Sequence, residues 1–146
     1  MANKELIALL NRALEMEHQA YVQYLSHAEL IDGLNSEPLV ARLKEIASDE
    51  SKHQEKLRNI IGNFLFGVPS MGIAKTRDAT EIKDTLNVNL AGEKEAVEFY
   101  NVIMEKVKEE KASLKFQYWF IEHEIRHIII DEQDHIAELT QLLGRK

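Results

Sequence analysis

The sequence predicts an all-α protein, an antiparallel four-helix bundle of two helical hairpins joined by a long crossover, and three observations carry that reading. Apolar residues recur at helical spacing over four stretches, and no stretch alternates as a half-buried strand would. The chain repeats itself: DESKHQEKLRNIIG (residues 49–62) aligns without a gap on DEQDHIAELTQLLG (131–144), and EHQAYVQY (17–24) aligns on EKEAVEFY (93–100) through Glu, Ala and Tyr. One long non-periodic segment separates the two halves.

The first helix, about 3–31, carries Leu6, Leu10, Ala13, Glu17, Ala20 and Tyr24 on one stripe, and Gly33 and Asn35 mark its end. Pro38 suits the first turn of the second helix, about 37–65, whose stripe is Leu39, Leu43, Ile46, Glu50, His53, Leu57, Ile60 and Phe64. The third, about 79–109, gives Ile82, Leu86, Asn89, Glu93, Ala96, Tyr100, Ile103 and Val107. The fourth, about 113–143, gives Tyr118, Ile121, Ile125, Ile128, Glu132, His135, Leu139 and Leu142, with Gly144 as its stop. The crossover, about 62–79, holds three of the six glycines and one of the two prolines. Extended, it spans roughly 60 Å, whereas a helix of 27 residues is about 40 Å long. It therefore has the reach to run the length of the bundle, which a short-looped up-down-up-down arrangement would not need.

A chain of 146 residues suits a single domain, 1–146, with a core able to stand alone. The net charge of −7 argues against a nucleic-acid partner. No run of 18 apolar residues predicts a membrane span, and the amphipathic N-terminus does not read as a signal peptide, so the cytoplasm is the expected compartment. The absence of cysteine excludes disulfides, thiolate zinc sites and iron–sulfur clusters.

Within this frame six polar residues interrupt the apolar stripes at matching places: Glu17, Glu50, His53, Glu93, Glu132 and His135. Glu-x-x-His alone is weak, since about one match is expected by chance in so acidic a chain. It occurs at Glu15/His18, Glu50/His53, Glu124/His127 and Glu132/His135, but only the second and fourth of these superpose in the repeat and lie on the stripe. Four carboxylates buried without partners would each cost on the order of several kcal/mol. Two divalent cations would cancel their charge, and residues three apart on a helix converge on one ion. The alternative is a wet flank on which lysines bridge these glutamates. Oxygen ligands with some imidazole and no sulfur suit iron or manganese, singly or mixed, better than tetrahedral zinc. Asp49 and Asp131 are expected to accept hydrogen bonds from the far ring nitrogens of the histidines; ordinary exposed aspartates are the alternative. Tyr24 and Tyr100 are placed to donate to ligand carboxylates or to serve as core tyrosines, and in both roles the hydroxyl needs a buried partner.

At these residues the chain resembles the ferritin-like superfamily of di-iron carboxylate bundles, and the bacterioferritins most of all. The resemblance implies two iron ions per chain. Glu17 and His53 would be terminal ligands of one, Glu93 and His135 of the other, and Glu50 and Glu132 would bridge both. It implies a ferroxidase-type reaction of that pair with dioxygen or hydrogen peroxide, in a homodimer or larger homo-oligomer. Ala96 stands where the rubrerythrin branch carries a further glutamate. Ser51 stands where bacterioferritins carry a haem-ligating methionine, so haem is not expected. The short fifth helix that lines ferritin channels is missing, so a storage cage is not expected either. The halves also differ: Glu17 to Glu50 is 33 positions (50 − 17) and Glu93 to Glu132 is 39 (132 − 93). A longer second hairpin accounts for this, as would a site built on Glu124/His127, 31 positions (124 − 93) from Glu93. The other enzymatic reading is a rubrerythrin-like peroxide reductase that takes electrons from an external donor. The non-enzymatic one is a bundle that only stores or uses metal structurally, and no feature defines a pocket for an organic substrate. His18, His27, His123 and His127 read as surface or core-edge residues, although His27 lies on its helix's stripe and marks a candidate path for ions or protons. Trp119 and Phe120 read as packing or a dimer surface.

Overall fold

The structure, a computed structural model, describes residues 3–144. Helix α1 spans Lys4–Leu30 and α2 spans Ser36–Asn59, continuing into a π-helical turn at Ile60–Phe64. Helix α3 spans Ile82–Glu109, α4 is a single turn at Lys111–Leu114, and α5 spans Gln117–Leu143. The π turn is closed by the Leu65 amide, which donates to the Ile60 carbonyl at 3.0 Å.

Cross-helix contacts set the directions. Lys106 meets Glu5 at 2.6 Å and Gln23 donates to Asn89 at 2.9 Å, so α1 and α3 are antiparallel. Arg42 with Glu138 and Lys56 with Glu124 do the same for α2 and α5. Residues 65–81 run back along α1, tied at successive turns. Asn11 donates to the Val68 carbonyl, the Ala74 amide donates to that of Glu15, and the Arg77 amide reaches the Gln23 side chain. The result is a four-helix bundle of two antiparallel hairpins, with one face of α1 covered by the crossover.

The ends of the second hairpin depart from the expected spans. Helix α3 begins at Ile82 rather than near residue 79, because the crossover is still held extended against α1 and Glu81 keeps β-region angles. Helix α5 begins at Gln117 rather than near residue 113. Leu114 turns inward to close the core, and Lys115 adopts φ 58°, which breaks the helix between α4 and α5. The added length of this half is taken up by that hairpin. Phe120 stacks on Phe64 with ring centroids 4.3 Å apart, while Trp119 stands largely in solvent beside Tyr118 and Lys111.

The apolar interior is divided in two. One part, around Leu10, Leu57, Ile103 and Ile121, lies toward the α3–α5 connection. The other, around Leu43, Ile46, Leu86 and Leu139, lies toward the α1–α2 connection. A buried polar layer separates them. Among the described residues no helix is long and apolar enough to cross a membrane.

Candidate metal centre

That layer is made of the six residues that interrupt the stripes. Glu17 comes from α1, Glu50 and His53 from α2, Glu93 from α3, and Glu132 and His135 from α5, and all are buried. Spacing of three on α2 and on α5 puts each Glu and His on one helix face. The donor atoms form two overlapping groups: Glu17, Glu50, His53 and Glu132, then Glu50, Glu93, Glu132 and His135. Within each group they lie within 4.8 Å of one another, and Glu50 and Glu132 belong to both.

The imidazoles are oriented from behind. His53 Nε2 is 2.9 Å from Asp131 Oδ2, and His135 Nε2 is 2.9 Å from Asp49 Oδ2. Each Nε2 donates its proton to the aspartate, so Nδ1 faces the glutamates. It carries a proton toward them in the metal-free protein and would offer its lone pair to a cation that displaced that proton. His53 Nδ1 lies 3.2 Å from both Glu17 and Glu50, and His135 Nδ1 lies 3.3 Å from Glu93 and from Glu132. Tyr24 donates to Glu93 at 2.8 Å and Tyr100 to Glu17 at 2.6 Å. Both phenols are buried, and burial followed by the carboxylate charges raises their pKa well above the ordinary value.

The electrostatics are those of crowded acids. Burial, then the charges of Glu17 and Glu93, push the Glu50 pKa up to about 8. Burial, then Glu50 and Glu93, raise that of Glu132 well above the usual carboxylate range. Burial would lower the His53 pKa, but the Glu17 carboxylate and the hydrogen bond to Asp131 outweigh it and carry it to about 12. For His135 the carboxylate of Glu93 outweighs burial in the same way, and its pKa rises to about 10.

The donor chemistry fits bound metal cations. Glu17 Oε1, Glu50 Oε1, Glu93 Oε2, Glu132 Oε1 and His135 Nδ1 are buried without a hydrogen-bond partner. Orphaned polar atoms are costly and rare, and here several converge on one place. Iron or manganese would accept such a set, because it is rich in oxygen and holds no sulfur.

An all-helical bundle that gathers four glutamates and two histidines at mid-depth defines the class of ferritin-like carboxylate proteins. The chain belongs to the ferritin-like domain family, whose profile matches residues 7–145. No curated protein matches it by sequence. Among solved structures it is similar to a ferritin-like, di-iron-carboxylate protein from Bacillus anthracis str. Ames, at 27% identity and a TM-score of 0.86. That match covers 97% of this chain and 96% of the other. It is similar also to a bacterioferritin from Rhodobacter capsulatus, described with a metal-free dinuclear site and haem iron, at 25% identity and a TM-score of 0.84, covering 96% and 84%. A bacterioferritin from Mycobacterium tuberculosis, at 24% identity, TM-score 0.86 and coverage of 98% and 86%, shares the fold.

The remaining histidines lie outside the cluster. Glu124 sits beside Lys56 and His123, and His127 packs on His123 with ring centroids 4.2 Å apart. His18 bonds the Gly72 carbonyl near the surface. His27 is buried but faces the Arg77 carbonyl and the Asn89 amide, not the glutamates. Sequence reasoning did not single out Gln23, Arg77 or Glu95. Asn89 was visible as a polar interruption of the α3 stripe, whereas Arg77 lies in the non-periodic crossover, where spacing carries no signal.

Proposed function

We propose that this protein is a di-iron oxidoreductase that oxidises ferrous ions in a ferroxidase-type reaction with dioxygen or hydrogen peroxide. The observation that carries this is the pair of overlapping ligand groups sharing Glu50 and Glu132, with unpartnered carboxylate oxygens in both. In this reading Glu17 and His53 would hold one ion and Glu93 and His135 the other, with Glu50 and Glu132, which belong to both ligand groups, serving both. Ferrous ions bound there would supply the two electrons that, with two protons, reduce dioxygen to hydrogen peroxide, or hydrogen peroxide to two waters.

The chain's own groups prepare that exchange. Asp131 and Asp49 hold the imidazoles with Nδ1 inward, and the tyrosine hydroxyls hold Glu93 and Glu17 in place. Glu50 and Glu132, whose pKa values are raised by burial and then by the neighbouring carboxylates, carry protons that cations would displace on binding. The bundle's apolar ends keep bulk water from the layer.

Anaerobic titration with ferrous iron, followed by stopped-flow mixing with dioxygen and separately with peroxide, tests the reading. About two irons per chain and a fast absorbance change, both lost in Glu50→Ala and Glu132→Ala, are expected. A markedly faster reaction with peroxide, sustained by an added electron donor, would move the assignment to peroxide reduction. Uptake indifferent to those substitutions would sink it.

A further inference from the structure

A cavity of about 40 Å³ lies on the seam between α1 and α3, and all four glutamates of the centre line it. That volume holds a few waters, a hydrated cation partly stripped, or a diatomic molecule, and no drug-sized ligand. Small residues make the space: Ala20 on α1, Gly92 and Ala96 on α3, and a Cβ built on Gly92 would meet nothing within 4 Å. On the opposite side of the layer His53 and His135 are fully buried, each backed by an aspartate.

The outer rim of this cavity is bridged by an ion pair. Arg77, from the crossover, places Nη2 2.8 and 2.9 Å from the two carboxylate oxygens of Glu95 on α3. Both side chains are about half exposed, so this is a pair that opens readily. The backbone of Arg77, by contrast, is clamped. Its amide donates to Gln23 Oε1 at 2.8 Å, and its carbonyl faces His27 Nε2 at 2.9 Å. Gln23 in turn donates to Asn89, whose amide faces His27 Nδ1, which closes a buried ring linking α1, α3 and the crossover. A fixed backbone beneath a half-exposed, surface-paired guanidinium lets the charge move when the pair parts while its anchor stays.

We propose that Arg77 and Glu95 form a charge gate on the α1–α3 seam that sets how fast divalent cations reach the four glutamates. The inference rests on the di-metal reading above. Paired, the two charges cancel and the rim is closed. Parted, Glu95 offers a carboxylate at the entrance from which a cation passes to Glu17 and Glu93, whose unpartnered oxygens lie within.

The test is the association rate of cobalt(II), followed by stopped-flow quenching of intrinsic fluorescence, with the number of bound ions measured separately by calorimetry. Arg77→Ala leaves Glu95 bare at the rim, so the rate should rise about tenfold at low salt and the gain should shrink as salt increases. Glu95→Gln leaves the arginine charge uncompensated, so the rate should fall about tenfold. The double variant, neutral at the rim, should return to within about twofold of the parent. Gly92→Leu should slow entry at every salt concentration by narrowing the cavity. None of the four should change the number of ions bound. Rates that stay within twofold across the set, with the full complement of ions bound, overturn the gate and leave the di-metal reading standing. A parent protein that binds no cobalt at the centre overturns the di-metal reading, and the gate with it.

Discussion

Each histidine of the centre is held by an aspartate of the opposite hairpin, and each tyrosine reaches the glutamate of the opposite hairpin. These bonds determine which nitrogen and which oxygen face the cluster. Asp131 is half exposed, so its loss leaves the fold intact while freeing the His53 ring to turn. Asp131→Ala should weaken cation binding about 10–100-fold, as read by competitive titration against a chelator, with an unchanged far-ultraviolet spectrum. The acids themselves set a pH dependence for the metal-free protein. Glu50 has a folded pKa of about 8 against an ordinary 4.5, so the folded state keeps a proton that the unfolded chain releases between those values. His53, raised from 6.5 to about 12, acts in the same direction above pH 6.5. The stability these groups contribute is complete at low pH and is lost as pH climbs through that window. Thermal melts of the metal-free protein should therefore show Tm falling from pH 5 to pH 9. A rising Tm over that range would contradict the protonated cluster.

At the scale of elements, the crossover is the part that most shapes the site, since it both covers α1 and delivers Arg77 to the seam. Its first residues come very close to α1 and to the π turn: a Cβ on Gly67 would lie 2.9 Å from Ile7 Cγ2 on α1 and 3.3 Å from Ile61 Cγ2 in the turn. Gly67→Val is expected to destabilise the protein by about 1–3 kcal/mol through overpacking, measured as a lowered midpoint in urea at constant m-value. Helix α1 and the start of α2 were legible in the sequence to within a residue or so, because the 3.6-residue stripe is interrupted at Gly33 and Asn35. The far end of α2 was not, since it gives way at Ile60 to a π turn inside the expected span of about 37–65. Nor was the α3–α5 connection. Its break depends on Leu114 reaching under the bundle and on a positive φ at Lys115, and neither leaves a mark in local spacing.

For the whole molecule, the polar layer is a cost that the metal-free protein bears and that, on the proposed di-metal reading, bound cations would relieve. Replacing buried charges by apolar groups of similar size is often stabilising. The double variant Glu50→Leu, Glu132→Leu should therefore melt higher than the metal-free parent. It should also lack the rise in Tm expected of the parent with manganese or anaerobic ferrous iron. For the parent that rise reflects about 2.7 kcal/mol for a site at a hundredfold excess over Kd, or roughly 5–10 °C in a chain of this size. A parent whose Tm ignores both metals would count against the centre.

Local regularities were enough to reveal the all-helical bundle, the crossover and the six residues at matching depth, because periodicity and repetition along the chain survive without knowledge of neighbours. The pairings across the bundle required the folded chain. That Asp131 serves His53 rather than His135, that Tyr24 finds Glu93, and that Arg77 meets Glu95 depend on the stagger of antiparallel helices and on the path of an extended strap. Those are relations between segments distant in sequence. They are fixed by which apolar surfaces pack together, and no spacing within one helix encodes them.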